Sequence, residues 1–335
     1  MYAFAGEQIL LLVKQPKYLT NMAGAIAGTA VLHLAGRSDR LRVVTLTVNN
    51  ICNLQCSHCY LQYDATNSFV DERIINILCE SEFSHLAIVG KEPLVNQNTA
   101  DHCRDLILKC VAQGKTVSLI TNGHGLRYVT PETLSLLAWI DVSFDGGPQT
   151  YTAYRHAPYE RLKRNMQWLK DCEYERVNAM FALSDCNLGF VNDMMAIEQE
   201  MHFERLVFSP YVVTLNHGVN SVSPVSLEQF CLALANSRAF MLSSKALALL
   251  DARAFNDVDM GMIQNRVRKL GLLEKAVLVE NDPLNLGILR VTYDGLVLTP
   301  YESLDTINYR DVGRPLLGAQ HLKQIYHDLC LTTSP

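Results

Sequence analysis

Six short runs of apolar and β-branched residues, separated by amphipathic segments, constrain the fold of this chain more than any other feature. The runs are RVVTLTV (42–48), HLAIVG (85–90), TVSLIT (116–121), WIDVSF (139–144), NAMFALS (178–184) and RLVFSP (205–210). Segments between them, such as DERIINILCES, place apolar residues at helical spacing. Repeats of this kind favour a parallel sheet, and six of them predict an α/β fold, a partial (β/α)6 TIM-like barrel rather than the full eight units.

The repeat divides the chain into three parts. Residues 1–41 are predicted to form an N-terminal helical extension, and residues 42–225 the partial barrel. Residues 226–335 are predicted to form a small C-terminal α+β extension, in which residues 226–255 give one or two helices. The segment ILRVTYDGLVLTPY (288–301) predicts a β-hairpin that turns at its Asp-Gly pair.

Composition argues against several classes of function. The 335 residues are 49% hydrophobic, and their net charge of -5 gives no basic surface for nucleic acid. The most apolar stretch, MAGAIAGTAVLHLAG (22–36), is shorter than the roughly 20 residues of a membrane span and contains His33. The N-terminus lacks the features of a signal peptide, and most of the ten cysteines are scattered singly. We therefore expect a cytoplasmic protein without a membrane span.

Three cysteines stand together in the loop after the first predicted strand, in the sequence CNLQCSHCY (52–60). Such a loop indicates a metal site. A structural zinc ion needs four ligands, and no partner CxxC pair is present, although His58 or His124 could complete the set. An iron–sulfur cubane also usually takes four thiolates. Three would leave one iron open to another ligand, and an open position is where metal chemistry occurs.

The loop resembles the CxxxCxxC signature of the radical S-adenosylmethionine (SAM) enzymes, which commonly have an aromatic residue after the last cysteine. Three further strand ends carry sequences similar to motifs of that superfamily: VGKEPL (89–94) resembles its GGEP stretch, TNG (121–123) its TNG, and VSFDG (142–146) its SxDG. Each of these three alone is more typical of a turn or a helix start. Their joint order favours the functional interpretation, and the resemblance is good over residues 42–215.

The resemblance implies a 4Fe-4S cluster held by Cys52, Cys56 and Cys59, with SAM bound to the open iron. Reductive cleavage of SAM would release a 5′-deoxyadenosyl radical that abstracts hydrogen from a substrate, the chemistry being that of the cofactor. An electron donor such as flavodoxin or ferredoxin is implied as a partner.

The resemblance also implies contacts to SAM at several positions. The backbone of Tyr60 would meet the adenine, Gly90 and Glu92 the methionine ammonium, and Ser143 and Asp145 the ribose or the methionine carboxylate; Asn122 and Arg155 complete the implied cofactor-binding residues. One position departs from the pattern, because Lys91 stands where the superfamily has a second glycine. Its side chain either points away or reaches toward the substrate.

The C-terminal hairpin is similar to the SPASM or twitch extension of some radical SAM enzymes. Tyr301 occupies the position of its cluster-binding cysteine, and Cys330 is the only later cysteine, so an auxiliary cluster is not expected. The implied outcome is redox-neutral: epimerisation, rearrangement, elimination or radical addition. Tyr301 is either packing or a weak catalytic candidate. Cys186, just after the fifth predicted strand, is either a hydrogen-atom donor or a partly buried apolar cysteine.

The sequence favours a small-molecule or natural-product substrate. Only 41 residues precede the first strand, fewer than the roughly 80 of a leader-peptide-binding domain. The polar segment 212–225 and the extension could cap the barrel over a small metabolite or a short peptide. The alternatives are a peptide-modifying maturase, a zinc-binding module without enzymatic activity, and a scaffold that binds SAM without cleaving it.

Overall fold

The computed structural model describes residues 40–59, 68–213, 222–251, 254–255, 258–279, 287–299, 302 and 309–332. The predicted N-terminal extension over residues 1–41 lies outside these ranges except for its last two residues.

Eleven strands form one sheet in the described part of the chain. They are β1 (Val43–Thr47), β2 (His85–Val89), β3 (Thr116–Thr121), β4 (Leu137–Ser143), β5 (Val177–Leu183), β6 (Arg205–Pro210), β7 (Ala246–Asp251), β8 (Ala276–Val279), β9 (Ile288–Val291), β10 (Leu296–Leu298) and β11 (Arg314–Pro315). The strand order is β11-β10-β9-β1-β2-β3-β4-β5-β6-β7-β8. Strands β1 to β8 are parallel to one another in sequence order, and β9 is parallel to β1 on its other side.

Ten α-helices lie within the described ranges. They are α1 (Glu72–Glu80), α2 (Gln97–Ala112), α3 (Pro131–Leu136), α4 (Pro148–Arg155), α5 (Tyr159–Asp171), α6 (Met194–Glu200), α7 (Leu227–Asn236), α8 (Arg238–Leu242), α9 (Met260–Lys269) and α10 (Ala319–Thr332). Short 3-10 turns span Leu126–Tyr128, Leu188–Asn192, Leu273–Lys275 and Tyr309–Asp311. Among the helices that are described, none has the length and apolar character needed to cross a bilayer.

Side chains alternate between the two faces of the sheet. On β1, Val44 and Leu46 are fully buried, whereas Thr45 and Thr47 are half-buried. Strand β7 shows the same alternation along its length. Parallel strands connected by helices bury one face under those helices. On β1 the face that carries Thr45 and Thr47 is the more accessible of the two.

The predicted partial TIM-like barrel is confirmed in class and in the order of its first six strands. The sheet does not stop at β6, because β7 and β8 extend it and the end strands β8 and β11 do not pair with each other. The helical prediction for residues 226–255 is correct for α7 and α8 but wrong for Ala246–Asp251, which is β7. The short run ALALLD is apolar enough to fit either period, and Ser243, Ser244 and Lys245 separate it from α8.

The predicted C-terminal hairpin is confirmed as β9 and β10. Gly295, in the turn between them, has φ of 78°, a conformation that glycine adopts without strain. Because β9 is parallel to β1, with Thr45 opposite Arg290, the hairpin turn lies at the same edge of the sheet as the cysteine loop. The segment expected to be a separate extension is thus joined to the sheet beside its first strand.

Candidate active site

The cysteine loop follows the β-bridge that pairs Asn49 with Phe69, at the carboxyl end of β1. Cys52, Cys56 and Cys59 are all partly exposed, and none of them forms a disulfide. The backbone N–H of Leu54 donates to Cys52 Sγ at 3.3 Å, and that of Cys59 donates to the Cys56 carbonyl at 3.2 Å. The loop is therefore turned tightly, with its three thiols at the edge of the sheet.

The three thiols lie within electrostatic reach of one another. Burial raises the pKa of Cys52 to about 12, and the charges of Glu92, Cys56 and Cys59 add to the rise. Burial also raises the pKa of Cys56, against the opposing effect of Arg155. Burial therefore disfavours the thiolates of Cys52 and Cys56, which fits a loop whose thiolates are stabilised by bound metal.

The end of α4 is attached to the cysteine loop residue by residue. Arg155 Nη1 lies 3.8 Å from Cys56 Sγ. The backbone N–H of Ser57 donates to the Tyr154 carbonyl at 2.9 Å, and the Ser57 hydroxyl lies 2.9 Å from His156 Nε2. Tyr154, Arg155 and His156 at the end of the helix therefore contact Cys56 and Ser57 of the loop.

His58 continues this attachment and joins it to Asp145. The His58 ring stacks on Tyr154 with centroids 4.2 Å apart and an interplanar angle of 14°. Its Nε2 lies 3.3 Å from Asp145 Oδ2, and the same carboxylate forms a buried ion pair with Arg155 Nη2. The backbone N–H of Ala182, at the end of β5, donates to Asp145 Oδ1 at 2.7 Å. One carboxylate thus holds the cysteine loop, α4 and β5 together.

The charge states of this cluster follow from burial and pairing. Burial lowers the pKa of His58 to about 4, although Asp145 opposes the change, so the ring is neutral at pH 7. A neutral ring whose Nε2 faces a carboxylate carries its proton on that nitrogen and donates it. Burial alone would lower the pKa of Arg155, but Asp145 and Cys56 raise it above its ordinary value. The guanidinium is therefore always charged.

Glu92 connects the ends of β2 and β3. Its side chain is almost fully buried and accepts three hydrogen bonds: from Leu94 N at 2.9 Å and Thr121 Oγ1 at 2.6 Å on Oε1, and from Asn122 N at 2.7 Å on Oε2. Burial raises the pKa of this carboxyl, and the three donors oppose the rise. In this structure Glu92 holds the two strand ends in place.

Asn122 connects the TNG turn to the cysteine loop. Its Nδ2 donates to Asn53 Oδ1 at 2.8 Å and lies 3.9 Å from Cys52 Sγ. Two residues later in the turn, His124 contacts α4, with its Nε2 2.9 Å from the buried Tyr151 hydroxyl. Within the described ranges, no group of three His, Cys, Asp or Glu residues could hold a single metal ion.

Gly90 and Lys91 form the turn after β2. A Cβ atom on Gly90 would lie 2.7 Å from Asn49 Oδ1, so this position has no room for a side chain. The neighbouring Asn49 amide is itself fixed, because its Nδ2 donates to the Glu92 carbonyl at 2.7 Å. Lys91, the departure from the motif, is half-buried.

Of the remaining predicted site residues, the structure describes Ser143 and Cys186. Ser143 ends β4, two positions before Asp145, and is half-buried. Cys186 is exposed rather than partly buried, and it precedes Asn187, whose Nδ2 donates to the Asp145 carbonyl at 3.1 Å. Tyr60 and Tyr301 lie outside the described residues.

Two features of this edge escaped the sequence motifs. One is the stacked and hydrogen-bonded position of His58, which the sequence singled out only as an alternative zinc ligand. The other is Asn50, whose Nδ2 lies 3.4 Å from the hydroxyl of Tyr293 in the C-terminal hairpin. Arg310 Nη2 donates to the same hydroxyl at 2.9 Å. Neither contact has a local sequence signal, because the partners are far apart in the chain.

Comparison with known protein families gives one match. Residues 41–168 match a family described as a 4Fe-4S single cluster domain, a range that includes the cysteine loop and the three other motifs. No curated protein is similar enough in sequence to be matched to the chain.

Solved structures share the fold of the chain. SuiB of Streptococcus suis bound to its precursor peptide SuiA is similar with a TM-score of 0.55 and 12% identity, over 91% of this chain and 68% of that one. SuiB bound to S-adenosylmethionine gives a TM-score of 0.55 and 11% identity, over 87% of this chain and 66% of that one. At such low identity the likeness is one of fold.

Proposed function

We propose that this chain, which belongs to the radical SAM superfamily, abstracts a hydrogen atom from a small-molecule or natural-product substrate. Its place in the superfamily rests on the 4Fe-4S single cluster domain over residues 41–168, on the four motifs, and on the shared fold. It is an enzyme of this class, and its cofactors are a 4Fe-4S cluster and SAM. One observation carries the proposal: the carboxyl ends of β1 to β4 meet at one edge of the sheet around three thiols. At this edge the Asn122 amide contacts Cys52 Sγ and the Arg155 guanidinium contacts Cys56 Sγ.

The donor set fits a 4Fe-4S cluster. Three thiols in one turn are too few for a closed four-thiolate site and leave one iron to another ligand. Cys52, Cys56 and Cys59 would hold the cluster, and its positive irons would offset the burial that disfavours the thiolates of Cys52 and Cys56. With SAM bound, the reduced cluster supplies a 5′-deoxyadenosyl radical, which removes hydrogen from unactivated C–H bonds.

The surrounding residues keep this edge in place. Asn122 and Arg155 point N–H groups at two of the three sulfurs, and Glu92 joins the ends of β2 and β3. Gly90 and Ser143 stand at strand ends on the same edge, where the resemblance places contacts to SAM. Asp145 is committed to Arg155 and His58, so we assign it to holding the site rather than to the ribose.

The reaction on the substrate is proposed to be redox-neutral. The hairpin position of an auxiliary-cluster ligand is Tyr301, and Cys330 is the only cysteine that follows it in the sequence. Cys186 is exposed beside the carboxyl end of β5 and is the proposed hydrogen-atom donor to a product radical; the thiyl radical left on it would take one electron from the reduced flavodoxin or ferredoxin and a proton from solvent to return to the thiol. A reduced flavodoxin or ferredoxin would supply the electron that starts each turnover.

A second candidate is a peptide-modifying enzyme. It is favoured by the fold shared with SuiB, a protein seen bound to a precursor peptide. Its substrate would enter over the accessible face of the sheet as an extended chain rather than as a compact metabolite.

Anaerobic reconstitution tests the proposal. The purified chain is expected to bind about four irons and four sulfides and, once reduced with SAM present, to release methionine and 5′-deoxyadenosine. The triple variant Cys52→Ala, Cys56→Ala, Cys59→Ala is expected to lose both properties, whereas Cys172→Ala, at the end of α5, keeps them. A colourless protein with one zinc per chain would contradict the proposal.

The same reconstituted enzyme distinguishes the two substrate classes. It is incubated with a panel of metabolites and, separately, with short peptides encoded near its gene, and 5′-deoxyadenosine is measured against the SAM-only rate. Stimulation by metabolites alone supports the first proposal. Stimulation by peptides alone supports the second candidate and contradicts the first.

A further inference from the structure

We propose that Arg155 and Asp145 adjust the reduction potential of the cluster through Cys56, in opposite directions. The inference rests on the proposed function, because it requires Cys56 to ligate the cluster. It assigns Arg155 a role on the protein's own sulfur, in addition to the contact with SAM that the sequence implies.

The two terminal nitrogens of the Arg155 guanidinium contact different partners. Nη1 lies 3.8 Å from Cys56 Sγ, within the range of a hydrogen bond to sulfur, and Nη2 pairs with Asp145. The side chains of Arg155 and Asp145 are 8% and 1% exposed, so water screens this contact little. A charged donor held against a thiolate in such a place acts strongly on it.

The protein itself fixes the position of this donor. Arg155 is the last residue of α4, and its two neighbours hold the residue that follows Cys56: the Tyr154 carbonyl accepts from Ser57 N at 2.9 Å, and His156 contacts the Ser57 hydroxyl at 2.9 Å. The contact between Arg155 and Cys56 therefore does not depend on a ligand to bring the two together.

The direction of each effect follows from charge. Reduction adds an electron to the cluster and increases the negative charge on its sulfurs, so a nearby cation and an N–H donor stabilise the reduced form more than the oxidised form. Arg155 therefore raises the potential. Asp145 offsets part of the guanidinium charge and therefore lowers it.

The test compares four variants with the reconstituted wild type, without SAM. Each is checked for iron and sulfide content and for its far-ultraviolet circular dichroism, and then titrated potentiometrically by the electron paramagnetic resonance of the reduced cluster. Arg155→Gln is expected to disfavour reduction about tenfold, a shift of about 59 mV to more negative potential for one electron. Asp145→Asn is expected to make the reduction potential more positive.

Two further variants make the result decisive. Arg155→Lys keeps the charge but lacks the planar guanidinium with its two N–H groups. Its reduction potential is therefore expected to be more negative than that of wild type, by less than in Arg155→Gln. Arg104→Gln removes a cation from the exposed face of α2 and leaves the potential unchanged. If Arg155→Gln does not fold, Arg155→Lys and Asp145→Asn must still shift in opposite directions.

Equal potentials in all variants, or shifts of Arg155 and Asp145 variants in the same direction, overturn the inference while the cluster remains. A wild type that binds no cluster overturns the proposed function itself, and iron content separates this outcome from the other.

Discussion

Asn50 and Tyr293 are in contact across 243 positions of the chain, the Asn50 amide lying 3.4 Å from the tyrosine hydroxyl. Asn50 is buried two residues before the first cysteine, and its Oδ1 accepts from Ser68 N at 3.0 Å where the chain returns from the loop. One amide therefore ties the beginning and the end of the loop segment to the C-terminal hairpin.

Removing the hydroxyl of Tyr293 is expected to loosen this connection. In Tyr293→Phe the Asn50 amide and the Arg310 guanidinium lose a shared acceptor, and we expect the free energy of unfolding to fall by about 1 kcal/mol. Urea denaturation of the variant and of wild type measures the difference. Tyr128→Phe removes a half-buried tyrosine hydroxyl outside this cluster and serves as the control, with a smaller expected loss. Equal losses in the two variants would count against a special role for Tyr293.

Glu92→Gln is expected to destabilise the fold more strongly. The carboxylate receives donors on both oxygens, so the amide NH2 of glutamine must face either Asn122 N or the donors on Oε1. A buried donor facing a donor costs about 1 to 3 kcal/mol. Urea denaturation is the measurement, and Glu80→Gln, at the exposed end of α1, is the control with no expected change. Glu92→Gln with wild-type stability would show that the carboxylate charge does not hold the strand ends.

Gly90→Ala tests the close approach between β1 and β2. The added Cβ would lie 2.7 Å from Asn49 Oδ1, and Asn49 cannot move without losing its bond to the Glu92 carbonyl. We expect a loss of about 1 to 3 kcal/mol in the free energy of unfolding. Gly189→Ala is the matched control, because nothing lies within 4 Å of the Cβ it would add. In the double variant, Asn49→Ala is expected to reduce the loss of stability caused by Gly90→Ala. If the losses of the two single variants simply add in the double variant, the clash is contradicted.

His85 predicts a loss of stability in mild acid. It is buried, contacts the hydroxyls of Thr116 and Ser118 at 2.9 Å each, and stacks on Trp139. Burial lowers its pKa from 6.5 to about 4, so between these values the unfolded chain binds a proton that the folded chain does not. The contribution of His85 to the free energy of unfolding is therefore complete above about pH 6.5. It falls as the pH drops from there through 4, by about 3 kcal/mol in total.

The measurement is the free energy of unfolding as a function of pH. His85→Gln is expected to flatten the decline between pH 6.5 and 4, whatever its effect at neutral pH, whereas exposed His202→Gln leaves the slope unchanged. A slope in His85→Gln equal to that of wild type would refute the assignment.

The sequence predicts the parts of this protein that are local in the chain. The first six strands, their parallel order and the hairpin follow from short apolar runs and an Asp-Gly turn, and they are confirmed. Strand β7 was expected to be helical because a five-residue run of alanine and leucine fits both periods, and only its pairing with β6 and β8 decides between them.

Contacts between distant segments could not be read from the motifs. Arg155 and Cys56 are 99 positions apart, and spacing alone does not reveal that the guanidinium reaches the sulfur. Likewise, the GGEP-like and TNG-like motifs were identified separately, whereas Glu92 and Asn122 are joined by a hydrogen bond. The motifs identify which residues meet at the edge of the sheet, and the fold determines how they are paired.

The position of β9 beside β1 has a consequence for synthesis of the chain. Until β9 emerges from the ribosome, β1 is an edge strand whose backbone groups on one side have no ladder partner. Contacts that bridge such long sequence separations form slowly and late. Of the strands β1 to β7, the strand that carries the cysteine loop is therefore the last to gain a partner on both sides as the chain is made.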